Sequence, residues 1–316
     1  MRIVFMGTPQ AAVPTLRRCV ADGHEIVAVW TQPDRPSGRG NKVSSSPVKE
    51  FTLSHGLTVH QPQRIKTDEA KKLFASHDAD VAVVVAYGRI LPEEFLRAPA
   101  RGCINVHFSL LPRHRGAAPA NWAIVKGDEE TGVTTMFIEP ALDTGPILLQ
   151  RATEIGETET APELMQRLAE IGAELLSETL ANLDMIAPKP QDDQQATFAP
   201  ILKKEDGLID WSRRAEAIGR AVRGFQPWPT AYTNFNSRGL TLWKAQIVKD
   251  RDRGAVGQAG EVIVARGDDL IVQCGEETVL RLLEVQPEAR KRLAARDFIN
   301  GMHVKVGDCF GKTGQT

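Results

Sequence analysis

A chain of 316 residues has room for one large core or for two domains of ordinary size. With 42% hydrophobic and 25% charged residues its composition is that of a globular protein, which excludes a disordered chain, and no apolar run approaches the ~18 residues that would suggest a membrane span. The net charge of −1 conceals an asymmetry: residues 203–316 carry 19 basic and 15 acidic side chains, a net of +4, so a polyanion is a candidate partner for the C-terminal part.

The chain starts on a short apolar run at residues 2–6, followed by Thr8 as a helix N-cap, Pro9 at the first helical position and Gly23 at the helix end. With no basic leader before that run, and with Cys19, Cys103, Cys274 and Cys309 far apart and free of any Cys-x-x-Cys pair, a cytoplasmic protein without disulfide or zinc site is expected. Further strands are expected at residues 26–30, 80–86, 103–107, 132–138 and 146–150, and helices near 47–55, 67–76 and 117–126. Continuous Val, Ile and Ala runs separated by helices indicate a mostly parallel, Rossmann-like sheet covered on both faces, with ligands beyond the carboxyl ends of its strands. Residues 32–46 form a loop with no apolar period. Loops longer than about 12 residues in compact domains are usually functional or disordered.

A longer helix is expected over residues 160–183, opened by the capping-box pair Thr160 and Glu163. Residues 185–202 have a linker composition, which divides the chain into a catalytic domain over 1–184 and a C-terminal domain over 203–316. In the latter a helix near 212–224 precedes β-type runs at 230–236, 240–248, 260–265, 269–274 and 279–285, the pattern of a small β-barrel.

Three features bear on chemistry. Gly7 stands alone in the first strand-to-helix turn, so neither a dinucleotide fingerprint nor a phosphate loop is present. Asn105 and His107 lie two apart on a strand and share a face at its carboxyl edge, where such sheets bind ligands; a hydrogen-bonded structural pair would show the same spacing. Leu142-Asp143-Thr144-Gly145 places one Asp on a turn between strands, suited to orient an imidazole. A single Asp-Thr-Gly in an α/β setting argues against an aspartic protease, and no serine elbow or reactive cysteine offers a covalent nucleophile. Acid–base chemistry with oxyanion stabilisation fits these residues.

The motif Asn105-x-His107 with Ser109-Leu110-Leu111-Pro112, followed by Leu142-Asp143-Thr144-Gly145, resembles the signature of the folate-dependent formyltransferases. The resemblance spans essentially the whole chain. It includes Phe5-x-Gly7-Thr8-Pro9, Thr31 to Pro36, Gly38-Arg39-Gly40, Ser46 to Lys49, Val83 to Gly88, Arg115 to Pro119, Pro227-Trp228-Pro229 and Trp243-Lys244-Ala245. It implies that 10-formyltetrahydrofolate donates a formyl group to the methionine carried by initiator tRNA. Asn105, His107 and Asp143 would be the catalytic residues, and Ser109, Leu110, Leu111 and Pro112 would line the folate site with backbone from 86–91 and 139–143. Phe108 would shape the pocket wall. Arg39 and Lys42 in the long loop, with Lys203 and Lys204, would meet tRNA, the C-terminal domain being an oligonucleotide-binding-type (OB-like) barrel. No metal is implied, and a monomer is expected. Relatives that formylate an amino sugar nucleotide share the same three polar residues and are the alternative.

Overall fold

The computed structural model describes residues 1–37, 42–248 and 257–311. The chain forms two compact units. Residues 1–119, 130–154 and 164–200 make the first, while 120–129, 155–163 and the described part of 201–316 make the second.

The first unit is built on a seven-stranded sheet. Its strands are β1 (Arg2–Gly7), β2 (Glu25–Trp30), β3 (Val59–His60), β4 (Val81–Val85), β5 (Cys103–His107), β6 (Glu130–Phe137) and β7 (Ile147–Glu154), in the order β7-β6-β5-β4-β1-β2-β3. Pairing is parallel from β3 to β5 and antiparallel at β5–β6 and β6–β7. The parallel part buries both faces, which is why β4 is apolar at every position. Val4, Met6, Ala28, Trp30, Ala82 and Val84 pack with Ala70 and Phe74 of one helix (Asp68–Ala75) and Phe95 of another (Glu93–Arg97). On the opposite face Val106 and Val133 approach Gly172 of the long helix α1 (Ala161–Ala181). A Cβ at Gly172 would stand 2.8 Å from Val106 Cγ1, so the missing side chain lets helix and sheet come together.

Chain entry into the first helix departs from expectation. Thr8 is not a cap: its hydroxyl donates to the Tyr87 carbonyl at 3.3 Å. The chain makes a short 3-10 turn over Gln10–Ala12 and becomes α-helical only at Val13–Ala21, where Pro14 sits in the first turn, and Gly23 ends it at φ +77°. Ser46 and Thr67 do cap the helices that follow them, accepting from Lys49 N and Ala70 N.

In the second unit five strands, β8 (Ala231–Phe235), β9 (Arg238–Ile247), β10 (Val262–Arg266), β11 (Asp269–Gln273) and β12 (Val279–Pro287), pair antiparallel in the order β8-β9-β12-β11-β10. Leu293–Ala294 adds a short pairing to β12. Among the described residues β8 and β10 do not pair with each other, and the observed element is an antiparallel sheet. Its core joins Trp211, Ile218, Val222, Leu242, Leu280, Phe298 and Phe310, drawing on two helices, Ala215–Gly224 and Ala295–Met302. No described helix is long and apolar enough to cross a membrane.

Candidate active site

The carboxyl end of β5 carries Asn105 and His107 on the face opposite Val106. Asn105 is half-buried, and its carboxamide has no hydrogen-bond partner among the described residues. His107 is 6% exposed, and both ring nitrogens are accounted for. Nε2 lies 3.0 Å from the carbonyl oxygen of His114, which can only accept, so Nε2 carries the proton. Nδ1 faces Asp143 Oδ2 at 3.7 Å, beyond hydrogen-bond length. The ring is thus oriented by a backbone carbonyl, with Nδ1 the nitrogen turned toward the carboxylate.

Asp143 sits on the loop between β6 and β7 with φ +53°, a left-handed conformation that Asp tolerates better than most residues. Its Oδ2 accepts from the Gly116 N–H at 2.8 Å. Gly116 adopts φ +128°, and a Cβ there would meet the Ala199 carbonyl oxygen at 2.4 Å. Gly145, two residues after Asp143, is fixed by space: a Cβ would fall 1.9 Å from the Phe137 carbonyl oxygen.

The segment after β5 is tied down from several sides. Ser109 is fully buried, and its hydroxyl donates to the Arg113 carbonyl at 2.6 Å. Thr134 Oγ1 donates to the Ser109 carbonyl at 2.7 Å and accepts from the Leu111 N–H at 3.1 Å. Gln150 reaches across from β7 to the Leu111 carbonyl at 2.9 Å. Leu111 is buried, whereas Leu110 and Pro112 are half-buried. A ligand at this segment would therefore meet Leu110, Pro112 and backbone, with the Ser109 hydroxyl turned inward. Phe108 lies on the α1 side, 3.5 Å from where a Cβ of Gly172 would stand, and so belongs to the packing under the sheet and not to a pocket wall.

Residues that composition reads as a linker reach this site. The Thr197 hydroxyl accepts from the His114 N–H at 2.9 Å, and Phe198–Ala199 pairs in parallel with Arg115–Gly116. Arg115 is a buried cation, 4% exposed, bonded to Gln191 Oε1 and to Asp193 Oδ1, both at 2.8 Å from one guanidinium nitrogen. Gln191, Thr197, Thr134 and Gln150 carried no signal in the sequence, because nothing in their spacing connects them to positions 105–116.

At the carboxyl ends of β1, β2 and β4 the turn after Val85 has positive φ at Ala86 (47°) and Gly88 (82°). It is held by Gln32 Nε2, which donates to the Tyr87 carbonyl at 3.0 Å, while Arg89 donates to Gln32 Oε1 at 3.0 Å. Asp34 of the long loop pairs with Lys49, in the helix that Ser46 caps, at 2.5 Å, and the ammonium together with the Gln61 amide holds the Asp34 carboxyl below its ordinary range. Lys42 lies in a three-residue strand (Lys42–Ser44) paired with Arg35–Ser37, and Arg39 lies outside the described residues. Lys203 and Lys204 are exposed in the second unit. No group of three or more His, Cys, Asp or Glu suited to a metal ion occurs among the described residues.

Residues 1–180 match the model of the family described as formyl transferase, and residues 201–303 match the formyl transferase C-terminal domain. The methionyl-tRNA formyltransferase of Caldanaerobacter subterraneus subsp. tengcongensis is 47% identical over 310 residues, covering 97% of this chain and 99% of its own. That of Bacillus subtilis is 43% identical over 98% of both chains. The chain belongs to the methionyl-tRNA formyltransferase family. Among solved structures, this formyltransferase shares its fold with HypX from Aquifex aeolicus in complex with tetrahydrofolic acid (TM-score 0.64, 17% identity, 98% of this chain and 48% of that one). It also shares it with WlaRD, a sugar 3N-formyl transferase (TM-score 0.66, 15% identity, 92% and 99%).

Proposed function

We propose that this formyltransferase moves the formyl group of 10-formyltetrahydrofolate to the α-amino group of methionine on initiator tRNA, with Asn105, His107 and Asp143 as its catalytic residues. The observation that carries the site assignment is the half-buried Asn105 carboxamide, uncommitted among the described residues, on the same strand face as a buried His107 whose Nδ1 faces a carboxylate. A partly exposed carboxamide with no protein partner is open to hydrogen bonds from a ligand.

The folate supplies a formyl group bound to nitrogen. Asn105 donates an N–H toward the formyl oxygen, where negative charge develops as the amine attacks. His107, held by the His114 carbonyl, presents Nδ1, which in the imidazolium form donates to the same oxygen. Asp143 balances that positive charge and takes part in moving the proton from the attacking amine to the folate nitrogen, whose bond to the formyl carbon breaks. The Ser109–Pro112 segment forms the folate wall through Leu110, Pro112 and backbone. We read the antiparallel sheet of the second unit as an OB-like barrel resting on tRNA phosphates, with Arg39, Lys42, Lys203 and Lys204 as tRNA contacts. We further read the protein as a cytoplasmic monomer that uses no metal.

Formylation of methionyl-tRNA with 10-formyltetrahydrofolate tests the assignment. His107→Ala lowers kcat by about 10²–10⁴, the usual contribution of a positioned acid–base group. A folded His107→Ala variant with wild-type kcat refutes the mechanism. Transfer to an amino sugar nucleotide, with none to methionyl-tRNA, refutes the acceptor.

A further inference from the structure

We propose that Gln191 is a positioning residue for Asp143, acting through the turn that carries it; the inference rests on the reading of Asp143 as catalytic. The Asp143 carboxylate faces His107 only while its turn keeps a left-handed residue in place, and the turn does little to hold itself. Its internal side-chain bond, from Thr144 Oγ1 to the Ala141 carbonyl, is long at 3.4 Å.

Gln191 supplies what the turn lacks. Its Nε2 donates to the carbonyls of Asp143 (2.9 Å) and Gly145 (2.7 Å), so both amide protons are used. Its Oε1 accepts from Arg115 Nε (3.0 Å) and from a terminal guanidinium nitrogen (2.8 Å). This orientation is dictated by chemistry: a guanidinium only donates and a carbonyl only accepts, so the amide cannot be turned over. Buried Arg115 needs those acceptors, with Asp193 as counter-ion, because an unpartnered buried cation is costly.

The connections close a ring. The residue after Arg115 is Gly116, whose N–H holds the Asp143 carboxylate. Asp143 is therefore gripped at both ends from one short strand, its carboxylate directly through Gly116 and its carbonyl through Gln191 and Arg115. Without the Gln191 donors the carbonyl end is released, and the carboxylate can pivot about the Gly116 bond away from His107.

Two substitutions separate this role from general stability. Gln191→Glu keeps the acceptor for Arg115 but has no N–H for the two carbonyls, and Gln191→Met keeps length alone. Each is assayed for transfer to methionyl-tRNA, alone and combined with Asp143→Asn, with a thermal melt to show folding. The expected result is a ~10- to 100-fold lower kcat for each single variant, the scale of a catalytic group misplaced by about 1 Å. The KM values for folate and tRNA stay within about two-fold, and little further loss appears in the Asp143→Asn background. A wild-type kcat in folded Gln191→Glu and Gln191→Met, with Asp143→Asn impaired, overturns the inference alone. Losses that multiply with Asp143→Asn also overturn it, since Gln191 would then act elsewhere. A fully active Asp143→Asn brings down the catalytic reading, and the inference with it.

Discussion

At His107 the carbonyl of His114 fixes the proton on Nε2, which leaves Nδ1 to face Asp143. The sequence spacing places Asn105 and His107 on one face because a strand alternates, and a turn Asp nearby was legible as a partner. The agent that orients the ring was not, since a backbone carbonyl has no letter in the sequence. Gln191 was hidden for a related reason: it stands 76 positions from Arg115 and 48 from Asp143, in a Pro/Gln/Asp stretch with no period. Glycines are easier to interpret once geometry is known. Gly145→Ala would drive a methyl into the Phe137 carbonyl and displace the Asp143 turn. A loss of about 1–3 kcal/mol in unfolding free energy, the usual range for overpacking, is expected, with transfer reduced at least ten-fold. Denaturant melts and the formylation assay read the two effects separately.

Elements were legible where periodicity is strong. The fully apolar β4 and the long helix α1 stand as their patterns predict, because burial on both faces and a continuous helical stripe leave few alternatives. Short elements fixed by tertiary contacts were not, among them β3 with two residues and the 3-10 turn after Pro9. The run of short strands in the second unit gave the antiparallel sheet but could not decide closure, which depends on how its edges meet. Near the β2–β3 edge, chemistry beyond pattern appears. Trp30 Nε1 donates to His77 Nε2 at 3.2 Å, a bond possible only with that nitrogen unprotonated, and the His60 ring lies 5.1 Å from that of His77. Burial keeps both imidazoles below their ordinary range, and His60 adds to the effect at His77. The unfolded chain then takes up these protons near pH ~6.5 while the folded chain resists them, so stability present above that pH is lost as pH falls toward the lowered folded values. Urea midpoints measured between pH 7.5 and 5.5 should fall less in His77→Gln, whose amide oxygen accepts from Trp30 without titrating, than in the wild type.

At the scale of the molecule the charge is divided, with a net of +4 over residues 203–316 and −5 over residues 1–202. A basic C-terminal part meeting tRNA phosphates releases counterions, so affinity should drop steeply with salt. Each phosphate contact contributes about 0.7–0.9 to the slope of log K against log salt. Measuring that slope for the wild type and for the Lys203→Ala/Lys204→Ala double variant checks the two contacts together, the double variant being expected to lower it by up to about 2. A slope unchanged by the double variant would remove both lysines from the interface.

The Gln191 clamp also has a consequence in time. A ribosome delivers Asn105, His107 and Asp143 well before it delivers Gln191 and the Thr197–Ala199 edge. Domains tend to fold as they emerge, N-terminal portions first. A nascent chain that has reached only the end of α1 has the Gly116 N–H for the Asp143 carboxylate but lacks the Gln191 donors for the carbonyls of its turn. Competence arrives with the last stretch of the first unit. A translation product cut short between residues 181 and 190 would carry Asn105, His107 and Asp143, the residues we assign to catalysis, and is expected to be idle.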